Sequence, residues 1–171
     1  MKQNILIRKA KVGDEKGIVN LMEEGLRRKN WLYTGSNRLS KDKLKKIREE
    51  FKLRSPSSYS FIAIDKLRDK IVCSVFFSFK KSGRTRHRID FGWGVHPDYQ
   101  KQGIATKVLK EALEFAKKKG FKRAEAEAAV INKGSIKLAE KCGFKIEGRK
   151  KQGLLLDNEK YADTYILGRT L

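Results

Sequence analysis

Hydrophobic positions change period once along the middle of the chain, and that change marks its most informative stretch. From His87 to Val95 the residues Ile89, Phe91, Trp93 and Val95 alternate with Asp90, Gly92 and Gly94, which predicts a strand. After Ile104 the apolar positions Val108, Leu109, Ala112, Leu113 and Ala116 recur at helical spacing as far as Gly120, a stop signal. Other elements follow from the same rules. Ile5 to Arg8 reads as a first strand. A helix follows with Asp14 at its N-cap and Ile18, Leu21 and Leu26 on its buried face. Asn30 to Ser36 reads as a loop carrying Trp31 and Tyr33. Ser40 caps a second helix with Leu44, Ile47 and Phe51, and Ser55-Pro56 ends it. Ser60 to Asp65 and Ile71 to Phe79 are strands joined by short turns to each other and to the His87 strand, so these three are antiparallel neighbours. Arg123 to Ile131 is reached through a helix and is therefore parallel to the His87 strand. A helix over Ser135 to Cys142 and strands over Lys145 to Lys150 and Thr164 to Thr170 complete the chain. The expectation is a single domain over residues 1–171 with a mixed α/β (α+β) fold, about seven strands flanked by about four helices.

The segment between the strand and the helix, Val95-His96-Pro97-Asp98-Tyr99-Gln100-Lys101-Gln102-Gly103-Ile104-Ala105-Thr106, is a proline-bearing turn, a glycine and a helix start. Backbone N–H groups at a helix N-terminus have no intrahelical partner, and the helix dipole adds positive potential there. Gly103 and Ala105 leave room for a bulky anion, which is the recipe for a phosphate or diphosphate cradle. Neither common nucleotide loop fits. There is no Gly-Lys-Ser/Thr ending, and Gly92 and Gly94 lie inside the strand rather than in the turn.

The pattern Val-x-Pro-x-Tyr-Gln-x-x-Gly-x-Ala, following a strand, resembles the acyl-CoA-binding motif of the GNAT superfamily of N-acetyltransferases. A second block, Asn132-Lys133-Gly134-Ser135 through Lys141-Cys142-Gly143-Phe144, is similar to the same superfamily's Asn-x-x-Ser/Ala-x-x-Leu-Tyr-x-Lys-x-Gly-Phe. The strong resemblance runs from Arg88 to Phe144, about a third of the chain, and the element order matches the GNAT fold elsewhere. The resemblance implies acetyl-CoA as cosubstrate, with no metal. It implies that the parallel strands splay at a bulge, exposing the backbone of Trp93, Gly94 and Val95 to a pantetheine arm that pairs like an added strand. It implies that Gln100, Lys101, Gln102, Gly103, Ile104, Ala105 and Thr106 hold the diphosphate through N–H groups. Asn132 would fix the pantetheine amide and Ser135 would support that loop. Lys101, Lys137 and Lys141 are placed to neutralise phosphates, the last two at i, i+4 on one helix face. Read without the motif, Asn132 is an ordinary turn residue or cap and the lysines are solvated charge.

Transfer of an acetyl group from a thioester to an amine needs a base for the amine proton and a donor for the carbonyl oxygen. The Val95 N–H is the candidate donor. Glu127, five positions before Asn132, is the first candidate base, because a glutamate at that spacing serves as base in ribosomal-protein N-terminal acetyltransferases of the superfamily. Asp90 is the rival, and Glu125 shares the face of Glu127. Any of the three would serve equally as a salt-bridge partner for lysine. The family's usual acid for the leaving thiol is a tyrosine where this chain has Ala139, so either the thiolate leaves unaided or another donor, Cys142 or Tyr161, serves.

Charge widens the choice of partner. Lys plus Arg is 41 against 20 acidic residues, a net +21, which favours anionic partners. The acceptor amine would sit on a protein N-terminus or lysine, on a small molecule, or on an RNA such as aminoacyl-tRNA. A domain that binds coenzyme A and RNA without turnover is the reading from another class. Two cysteines without metal-ligand spacing, no signal peptide and no long apolar run predict a cytoplasmic protein away from membranes, and the family resemblance implies a monomer or homodimer.

Overall fold

The structure, a computed structural model, describes residues 4–28, 57–156 and 159–171. Seven strands among them, β1 (Ile5–Lys9), β2 (Ser58–Asp65), β3 (Lys70–Phe79), β4 (Arg88–Val95), β5 (Arg123–Ala129), β6 (Lys145–Leu155) and β7 (Tyr161–Thr170), form one sheet ordered β1-β2-β3-β4-β5-β7-β6. Three helices among the described residues accompany it: α1 (Glu15–Arg27), α2 (Ile104–Lys118) and α3 (Lys133–Lys141), with a 3-10 turn at Pro97–Tyr99. The loop expected over Asn30 to Ser36 and the helix expected from Ser40 lie outside the described residues.

The antiparallel run from β2 to β4 and the parallel β4–β5 pair are as the short turns and the helical crossover require, and β1 adds to the edge antiparallel to β2. Strands β6 and β7 are longer than expected. The run Arg149-Lys150-Lys151-Gln152 hides the alternation, yet backbone pairing continues to Leu155↔Tyr161 across a register shift. Asp14 stands at the N-cap of α1 but makes no capping bond from its side chain. Its carboxylate is taken by Arg8, whose two terminal nitrogens donate at 2.7 Å.

Helix α2 lies on one face of the sheet. Its positions Val108, Leu109, Ala112, Leu113 and Ala116 are buried against a core that includes Phe77, Ile89 and Leu167. Each large side chain buried there stabilises the fold by about 1.5–3 kcal/mol. Helix α1 shields the other face through Ile18 and Leu21, packed with Ile62 and Ile71. The two faces fix β3 and β4 in the middle of the sheet, and the C-terminal end of β4 runs directly into the turn that precedes α2.

Candidate active site

Strands β4 and β5 pair only from Arg88↔Arg123 to Phe91↔Ala126. Beyond that point β4 continues to Val95 along β3, and β5 continues to Ala129 along β7. A wedge therefore opens between the two parallel strands, and both keep their outer partners. The His96 N–H donates to Val72 O at 2.8 Å. Antiparallel alternation then turns the backbone groups of Gly94 and Gly92 towards β3 and those of Trp93 and Val95 into the wedge. Gly94, expected to present its backbone to the arm, is turned the other way. The expected bulge is also absent from this ladder, because the β3–β4 register runs unbroken from Phe79↔Ile89 to Cys73↔Val95. The strands diverge at Gly92, where the Phe76 ring occupies the space of a side chain; a Cβ there would lie 2.3 Å from Phe76 Cζ.

At the end of β4 the chain enters the turn with left-handed backbone at Lys101 (φ 58°) and Gly103 (φ 77°). Gly103 occupies the N-cap of α2 and brings no side chain to it. The first helical bond there runs from Lys107 N–H to Gly103 O at 3.2 Å. The N–H groups of Gly103, Ile104, Ala105 and Thr106 have no partner among the described residues. Nothing lies within 4 Å of where a Gly103 Cβ would stand, so the approach to these amides is open. Gln100, Lys101 and Gln102 are exposed around them, and the Gln102 side-chain amide donates to Asp98 O at 3.0 Å.

Buried polar groups that sequence reasoning passed over hold this turn from beneath. Tyr99 donates its hydroxyl to Asp65 Oδ2 at 2.7 Å, and the Leu67 N–H and Arg68 donate to the same carboxylate at 3.0 and 2.9 Å. Tyr99 and Arg68 together keep the Asp65 carboxyl below its ordinary range. His96 is almost wholly buried, with Lys70 Nζ 2.8 Å from Nε2 and the Asp98 N–H 3.3 Å from Nδ1. Arg28 at the end of α1 bonds Asp98 at 2.7 Å. Asp65 reads in the sequence only as the last residue of a strand, and no local pattern announces a partner 34 positions away.

Across the wedge, Asn132 caps α3 by accepting the Ser135 N–H on Oδ1 at 3.1 Å. Trp93 spans the gap, its indole N–H donating to Ser135 Oγ at 3.2 Å. Asn132 thus acts as the helix cap, its amide nitrogen without a bond among the described residues, and Ser135 supports the loop through both bonds. Lys137 and Lys141 stand exposed on α3.

Glu127 is the first residue of β5 beyond the last β4 pair, at the mouth of the wedge. Its carboxylate receives Lys150 Nζ at 2.6 Å and the Thr164 hydroxyl. Asp90 lies away from the mouth, opposite Glu125 in the closed part of the pair, and is exposed at its surface. Partial burial, then the nearby Glu125 charge, push the Asp90 carboxyl above its ordinary range. Glu125 itself is held by Arg123 and Arg88 at 2.6 and 3.2 Å. Cys142 is buried with its Sγ towards Thr106 O, and burial pushes its thiol up. Tyr161 is exposed at the start of β7, and Ala139 is fully enclosed in the core.

A parallel strand pair splays here beside a helix N-terminus with uncovered amides, in a mixed α/β fold. The chain belongs to the Acetyltransferase (GNAT) family, whose profile it matches over residues 24–144. It is 33% identical over 87 residues to an L-amino acid N-acetyltransferase of Escherichia coli, covering 50% of this chain and 53% of that one. It is 40% identical over 50 residues to an uncharacterized N-acetyltransferase of Methanocaldococcus jannaschii, covering 29% of this chain and 22% of that one. The chain thus spans from about a fifth to about half the length of these relatives. Among solved structures, a GNAT-family acetyltransferase from Streptococcus pneumoniae superposes with a TM-score of 0.84 at 23% identity, covering 98% of this chain and 100% of that one. A ribosomal-protein-S5-alanine acetyltransferase from Vibrio fischeri gives 0.80 at 21%, covering 99% and 94%. An acetyltransferase from Salmonella typhimurium, solved with its cofactor acetyl-CoA, gives 0.78 at 18%, covering 98% and 94%.

Proposed function

We propose that the protein is an acetyl-CoA-dependent N-acetyltransferase acting on a primary amine of a protein N-terminus, a lysine or a small molecule. The observation that carries this reading is the unpartnered amide row from Gly103 to Thr106 beside the β4–β5 wedge. Those residues fit coenzyme A: the amides suit its diphosphate, and the exposed Gln100, Lys101 and Gln102 form the rim. The wedge-facing backbone of Trp93 and Val95 suits its amide arm. When bound, acetyl-CoA supplies the activated acetyl group. The Asn132 amide nitrogen is available to donate to the arm, Ser135 fixes Trp93, and Lys141 adds positive charge on α3. The Val95 N–H is the donor for the acetyl oxygen. Glu127, at the mouth of the wedge, takes the amine proton directly or through water, with Asp90 as the alternative base. The names of the relatives support an amino-acid or protein amine: one acts on L-amino acids, another on a ribosomal-protein alanine.

No described helix is long and apolar enough to cross a membrane, and we place the protein in the cytoplasm, as monomer or homodimer. The net charge of +21 favours a second reading of the acceptor, an amine carried on RNA. Calorimetric titration with coenzyme A, followed by steady-state assay over a panel of amines, tests the proposal. Saturable binding and turnover of at least one primary amine are expected. No affinity for coenzyme A overturns it, and binding without turnover of any acceptor reduces it to a binding domain.

A further inference from the structure

We propose that the end of the molecule opposite the wedge is a docking surface for single-stranded RNA. Two basic runs remote in sequence meet there. Residues 80–88, around the β3–β4 hairpin, contain five Lys or Arg, and residues 115–123, from the end of α2 into β5, contain five more; neither run has an acidic residue. The topology joins them: the N–H groups of Lys122 and Arg123 both donate to His87 O, at 3.0 and 3.3 Å. Arg88 and Arg123 are neutralised by Glu125 and Glu147. The other eight, Lys80, Lys81, Arg84 and Arg86 on the hairpin and Lys117, Lys118, Lys119 and Lys122 on the helix side, make no ion pair among the described residues. Between the runs lies an open depression whose lining includes Lys80, Lys81, Arg86 and Lys119 with the half-buried rings of Phe79 and Phe121. Those rings lie 4.9 Å apart, centroid to centroid.

An ordinary solvated face mixes its charges, as α1 does where Glu24 pairs with Arg27 and Arg28. Here eight like charges gather with no ion pair among the described residues, Asp90 acting on Lys80 alone through the field between them, and a polyanion relieves the remaining repulsion. The dipole of α2 accounts for lysines in its last turn but not for the four cations of the hairpin. Cations around partly exposed aromatic rings are the combination that binds a single strand, through phosphates and base stacking. The rings line a depression instead of projecting, which favours a strand lying in a groove over insertion into a lipid surface. Strand β4, eight residues long, sets this surface roughly 25 Å from the turn with the uncovered amides and roughly 13 Å from Gly92, where the wedge opens, so a bound strand leaves that turn open.

The surface exists independently of acetyl transfer, but its role in presenting an acceptor rests on the acetyltransferase reading. The test compares wild type, the variant Lys80→Glu/Lys81→Glu/Lys119→Glu, and the control Lys11→Glu/Lys16→Glu/Lys66→Glu, which makes the same charge change on exposed lysines elsewhere. The probe is a fluorescent oligouridine of about 12 nucleotides, long enough to span a single-strand site. Wild type should bind with affinity that falls as salt rises. The first variant should bind about tenfold more weakly or worse, and the control should lose less than about threefold. Absence of wild-type binding at low salt, equal losses in the two variants, or stronger binding to anionic phosphatidylserine vesicles than to the oligonucleotide overturns the proposal. Coenzyme A titration of all three proteins reads separately: equal affinity leaves the acetyltransferase reading intact whatever the RNA result, and no affinity in any refutes that reading alone.

Discussion

Tyr99 is bonded to Asp65 through its hydroxyl, at 2.7 Å, with both side chains buried. The bond ties the end of β2 to the floor of the turn that carries the uncovered amides. Tyr99→Phe keeps the ring in the core and leaves the buried carboxylate one donor short. A lower Tm and a several-fold loss of coenzyme A affinity are expected, with little change in the KM for the amine. Thermal melts and paired titrations check this. A variant that melts lower but binds coenzyme A as before would limit Tyr99 to stability.

Gly103 has φ 77° and open space where a Cβ would stand. Gly103→Val forces a branched residue into left-handed backbone at a cost of about 1–2 kcal/mol, and the added carbons cover the amides. The Tm should fall by roughly 2–8 °C, given about 2–4 °C per kcal/mol for a domain of this size. Steady-state kinetics should show the KM for acetyl-CoA rising by about tenfold or more and the kcat holding, since the group lost serves binding.

The fold was legible because β4 and α2 carry opposite periods on either side of one turn, and neither pattern has another interpretation of equal length. The cradle was legible for a related reason: backbone amides at a helix start need only a glycine and a break in period to announce them. The supports were not. Asp65 and Tyr99, and His96 and Lys70, meet through β2, β3 and the turn, and contacts between distant segments leave no mark on local spacing. Gly92 gave no sign of its purpose either, since the Phe76 ring over it belongs to the neighbouring strand. The resemblance supplied residue roles at Trp93 and Ser135, but only the structure shows the indole bridging the wedge to α3.

His96 sets an acid limit on the fold. Burial, with the Lys70 and Arg28 charges adding, lowers its pKa from the ordinary 6.5, while Asp98 and Glu24 oppose. The unfolded chain therefore binds more protons between the folded value and about 6.5, so stability falls as pH drops through that window. Asp65 and Asp163 are held below the ordinary 3.8, so their contribution is present above that value and is lost at lower pH. Melting curves from pH 8 downward should decline in two stages, the first beginning near neutrality for His and the second below about 4 for Asp. His96→Asn should remove the first stage and keep the second.

Glu127 stands where the wedge opens, and Asp90 lies inside the paired strands. Glu127→Gln should lower kcat by about 100-fold to 10,000-fold, the usual worth of a positioned base, with coenzyme A affinity unchanged. Asp90→Asn should lower it less. Single-turnover assays on both variants decide the assignment. Should Asp90→Asn cost more, its raised proton affinity, set by burial and Glu125, would make it the base, and Glu127 would then serve as the partner of Lys150 and Thr164.

Ala139 occupies the position of the family's tyrosine acid, yet it is fully enclosed, packed in the core with Cys142 and Phe144. A phenol cannot be added there without displacing α3 or the sheet beneath it. Ala139→Tyr should therefore destabilise the fold by about 1–3 kcal/mol or more through overpacking. It should not raise kcat, because the new side chain would have to leave the core to reach the thiol. Cys142→Ala should also leave kcat unchanged, since the thiol faces Thr106 O from within the core and keeps its proton. A gain in turnover from Ala139→Tyr at preserved Tm would mean that α3 shifts outward to admit the arm, and that the leaving thiolate is what limits the native reaction.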